Sequence, residues 1–467
     1  MKLVQHFFCL FAVVILVLGC AESPKMSDPA VMWLTSPDQK SLLERLEISS
    51  QNVDTNRIEE IITVNDTLRY QTIDGFGYTL TGGSAMHIHK MSDSARSRLL
   101  HELFTREGLG VSYLRVSIGA SDLDQTPFSY NDIPPGETDL NLEHFSLAND
   151  TIHLVPVLKE ILSINPDLKI LGSPWSPPVW MKDNKDTRGG ELLPQFEEVY
   201  ASYFVKYLQV MKAEGISIDA VTIQNEPLHP GNNPSLLMLP DQQAAFIKEH
   251  LGPALKREGL KTKIIIYDHN ADRPDYPINI LSDPEAAQYI DGSAFHLYGG
   301  EIDALSEVHQ AFPDKNIYFT EQWVGAPGDF AQEISWHMNN LIIGATRNWA
   351  KTVLEWNLAA DENQEPHTDR GGCDRCLGAV TITGDEVIRE PAYYIIGQAS
   401  KFVPPGSVRI ASTMSNDLPN VAFKTPEGKT VLIVQNSSEE KKTIAIDVND
   451  SRVLLSLNAG HIGTVVL

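Results

Sequence analysis

Eight short runs rich in β-branched and aromatic residues recur through the middle of the chain, at residues 73–79, 111–118, 169–173, 220–224, 263–267, 292–296, 316–320 and 351–356. Between them lie stretches such as 92–103, 199–214 and 242–257, whose apolar side chains fall three and four apart and give a helix one buried stripe. Parallel strands need such crossovers, because a tight turn joins only antiparallel neighbours. The series predicts a (β/α)8 TIM barrel over residues 73–395, enlarged by insertions beyond the usual size of about 250 residues. A doubly wound open sheet is the competing arrangement.

The flanks follow another rule. Residues 407–412, 420–424, 430–436, 442–448 and 463–467 read as short strands, punctuated by Pro426-Glu427-Gly428 and Asn449-Asp450. Residues 57–70 look similar and are expected to pair with them. That makes a β-sandwich from both chain ends, with residues 31–72 supplying its N-terminal strands and 396–467 the rest. Two units also suit the length, since 467 residues exceed the roughly 250–300 that one core organises.

The N-terminus is expected to lie outside the fold. Lys2 precedes an apolar run over residues 7–18, too short for a bilayer-spanning helix of about 20 residues. It suits a signal-peptide core. Its end, Val17-Leu18-Gly19-Cys20, resembles a bacterial lipoprotein signal, so residues 1–19 are expected to be a leader, Cys20 the lipid attachment point and 20–30 a tether. Ordinary secretion with Cys20 incidental is the alternative. The expected location is the periplasm or cell surface, with membrane contact only through the lipid. A formal charge of −24 argues against nucleic acid and against direct binding to an anionic membrane. With Cys9 in the leader, Cys373 and Cys376 remain. Their spacing allows half a zinc site, a redox pair or a local disulfide, and an oxidising compartment favours the disulfide.

Barrels of this kind carry their chemistry at the C-terminal ends of the strands. The second run carries Arg115 and Ser117 and is followed by Asp122, and Ser173-Pro174-Trp175-Ser176 stands at the third. Gln224-Asn225-Glu226-Pro227 ends the fourth, and Asp268-His269-Asn270 follows the fifth. His296, Leu297 and Tyr298 close the sixth, Glu321-Gln322-Trp323 follows the seventh, and Glu355-Trp356-Asn357 ends the eighth. Carboxylates, amides and aromatics together suit a sugar, whose hydroxyls need polar partners and whose ring face needs a flat apolar surface. Most carboxylates are solvated surface groups. Glu226 and Glu321 differ, because each ends an apolar strand at the barrel mouth.

Asp74-Gly75-Phe76-Gly77, the run from Ser173 to Lys182, Asn225-Glu226-Pro227, His296-Leu297-Tyr298, Glu321 and Trp356-Asn357 together resemble glycoside hydrolase family 30. The likeness runs from about residue 30 to the C-terminus, in order. It implies a retaining β-glycosidase on a TIM barrel with a side β-sandwich. By position, Glu226 corresponds to the acid/base and Glu321 to the nucleophile. Asp122, Trp175, Asn225, His296, Tyr298 and Trp356 correspond to residues lining the sugar subsite beside the scissile bond. Such chemistry needs two carboxyls about 5–5.5 Å apart. Glu226 would hold a proton through a raised pKa, Glu321 would stay ionised, and Asn225 would bind the sugar 2-hydroxyl.

Plainer readings accompany these. Trp175 and Trp180 could be packing residues, and His296 a satisfied core histidine. Asp268-His269 lacks a supporting metal motif, and the glycines at 75, 77 and 82 do not have dinucleotide-loop spacing, so no metal and no cofactor is expected. The resemblance spans several substrates. The loop from Gly371 to Gly378 and the start Trp33-Leu34-Thr35-Ser36-Pro37-Asp38 resemble the β-1,6-glucanase type. A neutral β-1,6-glucan is the favoured partner, with glucosylceramide or a broader range of β-glucosides second. A catalytically inactive barrel that only binds surface glycan is the non-enzyme reading. Oligomeric state and endo or exo action are not legible.

Overall fold

The computed structural model describes residues 25–26, 30–48, 58–449 and 451–467. The expected leader, Cys20 and most of the expected tether lie outside the described residues. The barrel strands are β1 (Gly75–Thr79), β2 (Tyr113–Ser117), β3 (Lys169–Ser173), β4 (Ala220–Thr222), β5 (Lys263–Ala271), β6 (Ile290–Gly300), β7 (Asn316–Glu321) and β8 (Ala350–Asn357). They pair in parallel, and β8 returns to β1 to close the barrel, which excludes the open sheet.

Side chains fill the barrel rather than leaving a pore. Tyr113, Leu171, Ala220, Ile265, Ala294, Tyr318 and Leu354 form one buried cluster inside it. Below them, Lys169 and Lys351 meet Asp74 at 2.9 and 3.5 Å, and Tyr318 donates to Asp291 at 2.6 Å. Such ties at the N-terminal ends of strands hold the barrel shut, leaving its opposite face to chemistry.

The helices form where the apolar spacing places them. Residues Asp93–Phe104 bury Ala95, Leu99, Leu100, Leu103 and Phe104, and Ser92 caps the start by accepting from the Ala95 N–H. Residues 240–257 are helical throughout but widen to a π-turn at Ile247–Leu251. No helix among the described residues is long and apolar enough to cross a membrane.

The chain ends meet in a ten-stranded sheet. Glu60–Thr72 lies between Lys442–Val448 and Val408–Ser412, while Ala30–Thr35 pairs with Ile462–Val466. One apolar cluster gathers side chains from nearly all these strands, including Met32, Ile62, Ile410, Leu432, Ile444 and Leu455. A single core shared around the sheet means that it folds over on itself as a sandwich. Ser451–Leu457 is a strand that falls outside the expected runs.

The expected boundary between residues 395 and 396 is corrected, because it cuts the helix Pro391–Ser400. This helix is buried along its whole length. The Tyr78 hydroxyl donates to Ala392 O at 3.1 Å on the barrel side, and Thr464 Oγ1 donates to Gln398 O at 2.8 Å on the sandwich side. It ties the two units together.

Candidate active site

Arg115 is the charged residue within the otherwise neutral β2 segment Tyr-Leu-Arg-Val-Ser, and it is fully buried. Each of its nitrogens finds a partner: Nε donates to Ser173 Oγ at 3.0 Å, Nη1 to Glu321 Oε2 at 2.5 Å, and Nη2 to Asn225 Oδ1 at 2.7 Å and Asp268 Oδ2 at 2.8 Å. The guanidinium also lies over Trp175 and Trp356, 4.8 and 5.8 Å from the ring centroids. A buried charge is tolerable only with such complete pairing. Arg115 therefore fixes the ends of four strands at once.

Backbone irregularities aim the remaining groups. At Tyr267 and Asp268 the φ angles are +74° and +62°, and the β5–β6 register skips Asp268. This bulge turns the Asp268 carboxylate toward the barrel axis. There it accepts from Thr222 Oγ1 at 2.8 Å and Thr320 Oγ1 at 2.7 Å, and faces His296 Nε2 at 3.1 Å. Glu226 also sits at positive φ, +46°, unusual for a residue with a Cβ. Its N–H is held by Asp268 O at 2.9 Å.

Glu226 and Glu321 converge on His296. His296 Nδ1 lies 3.1 Å from Glu226 Oε1 and 3.8 Å from Glu321 Oε1, so these two oxygens are no further apart than those distances combined. Glu321 Oε1 also accepts from the Tyr298 hydroxyl at 3.0 Å, and Glu226 Oε2 from Asn232 Nδ2 at 3.2 Å. A cavity of about 280 Å³ opens above them. Asp122, Trp323, Trp356, Cys373, Cys376, His229, His269 and Asn270 are among the residues that line it. Cys373 and Cys376 are joined as a disulfide.

Of the expected site residues, Glu226, Glu321, Asp122, Tyr298 and Trp356 line this cavity, as do both cysteines. Trp175, Asn225 and His296 lie in the layer beneath. Asn225 spends its carbonyl oxygen on Arg115, and Trp175 packs on Trp356 at 5.4 Å with its indole N–H unpartnered. Trp180 is a packing residue, buried against Phe196 and donating to Asn131 O. The sequence places Arg115, Asp268 and His269 at strand ends without assigning them a role, and Asn232 carries no signal there. A cation embedded in a buried strand was the available signal for Arg115.

The titrations follow from this crowding. Burial opposes charge on His296, but Glu321, Asp268 and Glu226 outweigh it and raise the imidazole to about 9. Burial raises Asp122 to about 7, helped by the charges of Glu321 and Glu226. Glu226 is also buried, yet the imidazoles of His269 and His296 pull its carboxyl well below the ordinary range. Burial raises Glu321, and the Glu226 and Asp268 charges add to this against His296 and Arg115. This order is the reverse of the one expected. Its cause is the pair of imidazoles that meets Glu226 across the barrel, a proximity that linear spacing does not show.

Comparison with known proteins places the chain. Residues 73–403 match the glycosyl hydrolase family 30 TIM-barrel domain, and residues 406–465 match the family 30 beta sandwich domain. The chain belongs to glycoside hydrolase family 30. Among its family 30 relatives is the endo-1,6-beta-D-glucanase of Neurospora crassa, 36% identical over 84% of this chain and 85% of that protein. The lysosomal acid glucosylceramidase of Mus musculus is 30% identical over 89% of this chain and 85% of its own. The solved structure of the endo-beta1,6-glucanase BT3312 has a TM-score of 0.87 and 35% identity, covering 94% of this chain and 99% of that one. The family 30 chain is a glycoside hydrolase.

Proposed function

We propose that this chain hydrolyses β-1,6-linked glucan with retention, Glu321 attacking the anomeric carbon and Glu226 serving as acid and then base. The observation that carries the reading is the shared imidazole, which brings both carboxyls to one point. The limit it sets on the distance between their facing oxygens, 3.1 and 3.8 Å combined, accommodates the separation of about 5–5.5 Å that retaining enzymes use. The roles follow from which neighbouring cation can lose its charge. Arg115 stays protonated at any working pH, so Glu321 keeps a permanent counter-ion beside the reacting carbon. The cation beside Glu226 is the His296 imidazolium, which unlike a guanidinium can give up its proton, and a sugar that expels water from the cavity drives that carboxyl toward its protonated form.

In the first step a lone pair on Glu321 forms the bond to the anomeric carbon as the glycosidic bond breaks, and the Glu226 proton goes to the departing oxygen. In the second, Glu226 takes a proton from water, whose oxygen displaces Glu321. Tyr298 donates to Glu321 and holds it in line. Trp356 and Trp323 offer flat apolar faces to the sugar ring.

The β-1,6 linkage is supported by the two glucanase relatives and by the disulfide loop at the cavity wall. The similarity to the glucosylceramidase supports a second reading, a ceramide-linked glucoside. Export, with a lipid on Cys20, completes the proposal and rests on the N-terminal sequence. Linkage-defined β-glucans, glucosylceramide and an aryl β-glucoside, offered side by side to wild type, Glu321→Ala and Glu226→Gln, test it. Reducing sugar released from β-1,6-glucan by wild type alone supports the reading. Retention of glucan without cleavage of any β-glucoside refutes it, leaving a binding protein. Proton NMR that shows the α-anomer formed first refutes the two-step mechanism.

A further inference from the structure

We propose that Glu226, His269 and His296 form a binding site for a divalent transition-metal ion of the zinc class, and that its occupation shuts the hydrolase off. The inhibition half of the proposal rests on Glu226 being the acid/base. The three residues come from separate strand ends, which is why their linear spacing shows no metal motif. One ligand atom from each lies within 4.8 Å of the other two, and all three residues are buried.

The spacing suits an ion at the centre. Glu226 Oε1 is 3.1 Å from His296 Nδ1 and 3.7 Å from His269 Nδ1. Two ligands of a tetrahedral ion at metal–ligand distances of about 2.0–2.1 Å stand roughly 3.3 Å apart, between those two values. The longer contact is beyond hydrogen-bond reach, and His269 Nδ1 is a buried nitrogen with no partner among the described residues. A buried polar atom left unsatisfied is costly, and a cation in the gap would satisfy it.

The outer contacts suit a metal as well. Asp268 lies 3.1 Å from His296 Nε2, so that nitrogen can carry the proton and present the Nδ1 lone pair to the gap. A carboxylate behind an imidazole is the usual support for a metal-bound histidine. Two nitrogens and one oxygen select zinc or copper over calcium or magnesium, which take oxygen ligands. The cavity leaves a fourth position open to water. An ion here would occupy the Glu226 oxygen that must carry the proton, and would stand in the path of the sugar.

The test is titration of the whole protein with ZnCl2 by calorimetry, and with CoCl2 by visible absorption, beside the inhibition of hydrolysis. Wild type should bind one zinc ion, gain tetrahedral cobalt bands, and be inhibited competitively by zinc, with activity restored by a chelator. His269→Gln, checked for folding by circular dichroism, should weaken zinc binding by at least the 10–100-fold, roughly, that loss of an outer-sphere partner costs. Its own residual activity should become correspondingly zinc-resistant. Unchanged zinc affinity in His269→Gln, or no cobalt bands and no zinc binding in wild type below millimolar metal, overturns the proposal. The cobalt and zinc readouts do not involve hydrolysis. A Glu226→Gln protein that keeps full activity would refute the acid/base assignment while leaving metal binding to be decided by these titrations.

Discussion

Replacing Arg115 with Met should both loosen the barrel and move the acid limb of the activity profile. The guanidinium is fully buried and is the non-titrating cation touching Glu321 and Asp268, at 2.5 and 2.8 Å. Met has comparable length and leaves no new polar group, so the loss is electrostatic. Removing one member of a buried ion pair costs about 3–5 kcal/mol. Shared between two carboxylates, that leaves about 1–2 pKa units on Glu321, at about 1.4 kcal/mol per unit. Burial already holds the Glu321 pKa up, so losing Arg115 raises it further. A nucleophile must be ionised, so the acid limb of kcat/KM against pH should move up by that amount. The assay is a pH series on an aryl β-glucoside, with urea unfolding alongside. Arg115→Lys, which keeps a charge but not the fork, should recover stability more than activity. An acid limb within about 0.3 unit of wild type, with an unchanged unfolding midpoint, would refute the role given to Arg115.

Other outcomes follow from the same geometry. Glu226→Gln should lose on the order of 10²–10⁴-fold in kcat on substrates with poor leaving groups, and much less on activated aryl glucosides, as steady-state comparison would show. His337 is buried between Glu355 at 2.7 Å and Glu333 at 3.3 Å. Burial opposes its charge, but those carboxylates raise it to about 9, above the ordinary imidazole value of 6.5. The folded state thus binds the proton more tightly than the unfolded chain. The stabilisation, on the order of 3 kcal/mol, is fully present below pH of about 6.5 and lost as pH rises through about 9. Urea unfolding at pH 6 and pH 10 should show wild type exceeding His337→Gln only at the lower pH. Reduction of Cys373–Cys376, whose loop spans few residues, should cost no more than about 2 kcal/mol by melting, yet raise KM by removing part of the cavity wall.

The barrel was legible because its strands are short runs of β-branched, aromatic and other apolar residues, and five of the eight begin where the sequence pattern begins or one residue from it. The ends of β5 and β6 were not, since each continues four residues past its apolar run through bulges. Those bulges arise from pairing between strands, which no local pattern records. Ser451–Leu457 escaped because it follows at once on a turn. Glu226 and Glu321 were readable as carboxylates that end buried strands. Arg115, Asp268 and His269 were harder to read, since their significance lies in what faces them across the barrel. The same cause inverted the expected electrostatic order of the two glutamates: His269 and His296 reach Glu226 only in the folded chain.

The central claim is that Glu321 attacks the sugar while Glu226 handles the proton. A 2-deoxy-2-fluoro-β-glucosyl fluoride forms the glycosyl-enzyme but slows its hydrolysis, so the labelled protein can be digested and its peptides weighed. One 2-deoxy-2-fluoroglucosyl group per chain is expected, carried on the peptide that contains Glu321. A label on the Glu226 peptide, or turnover with no covalent species at any time, would contradict it.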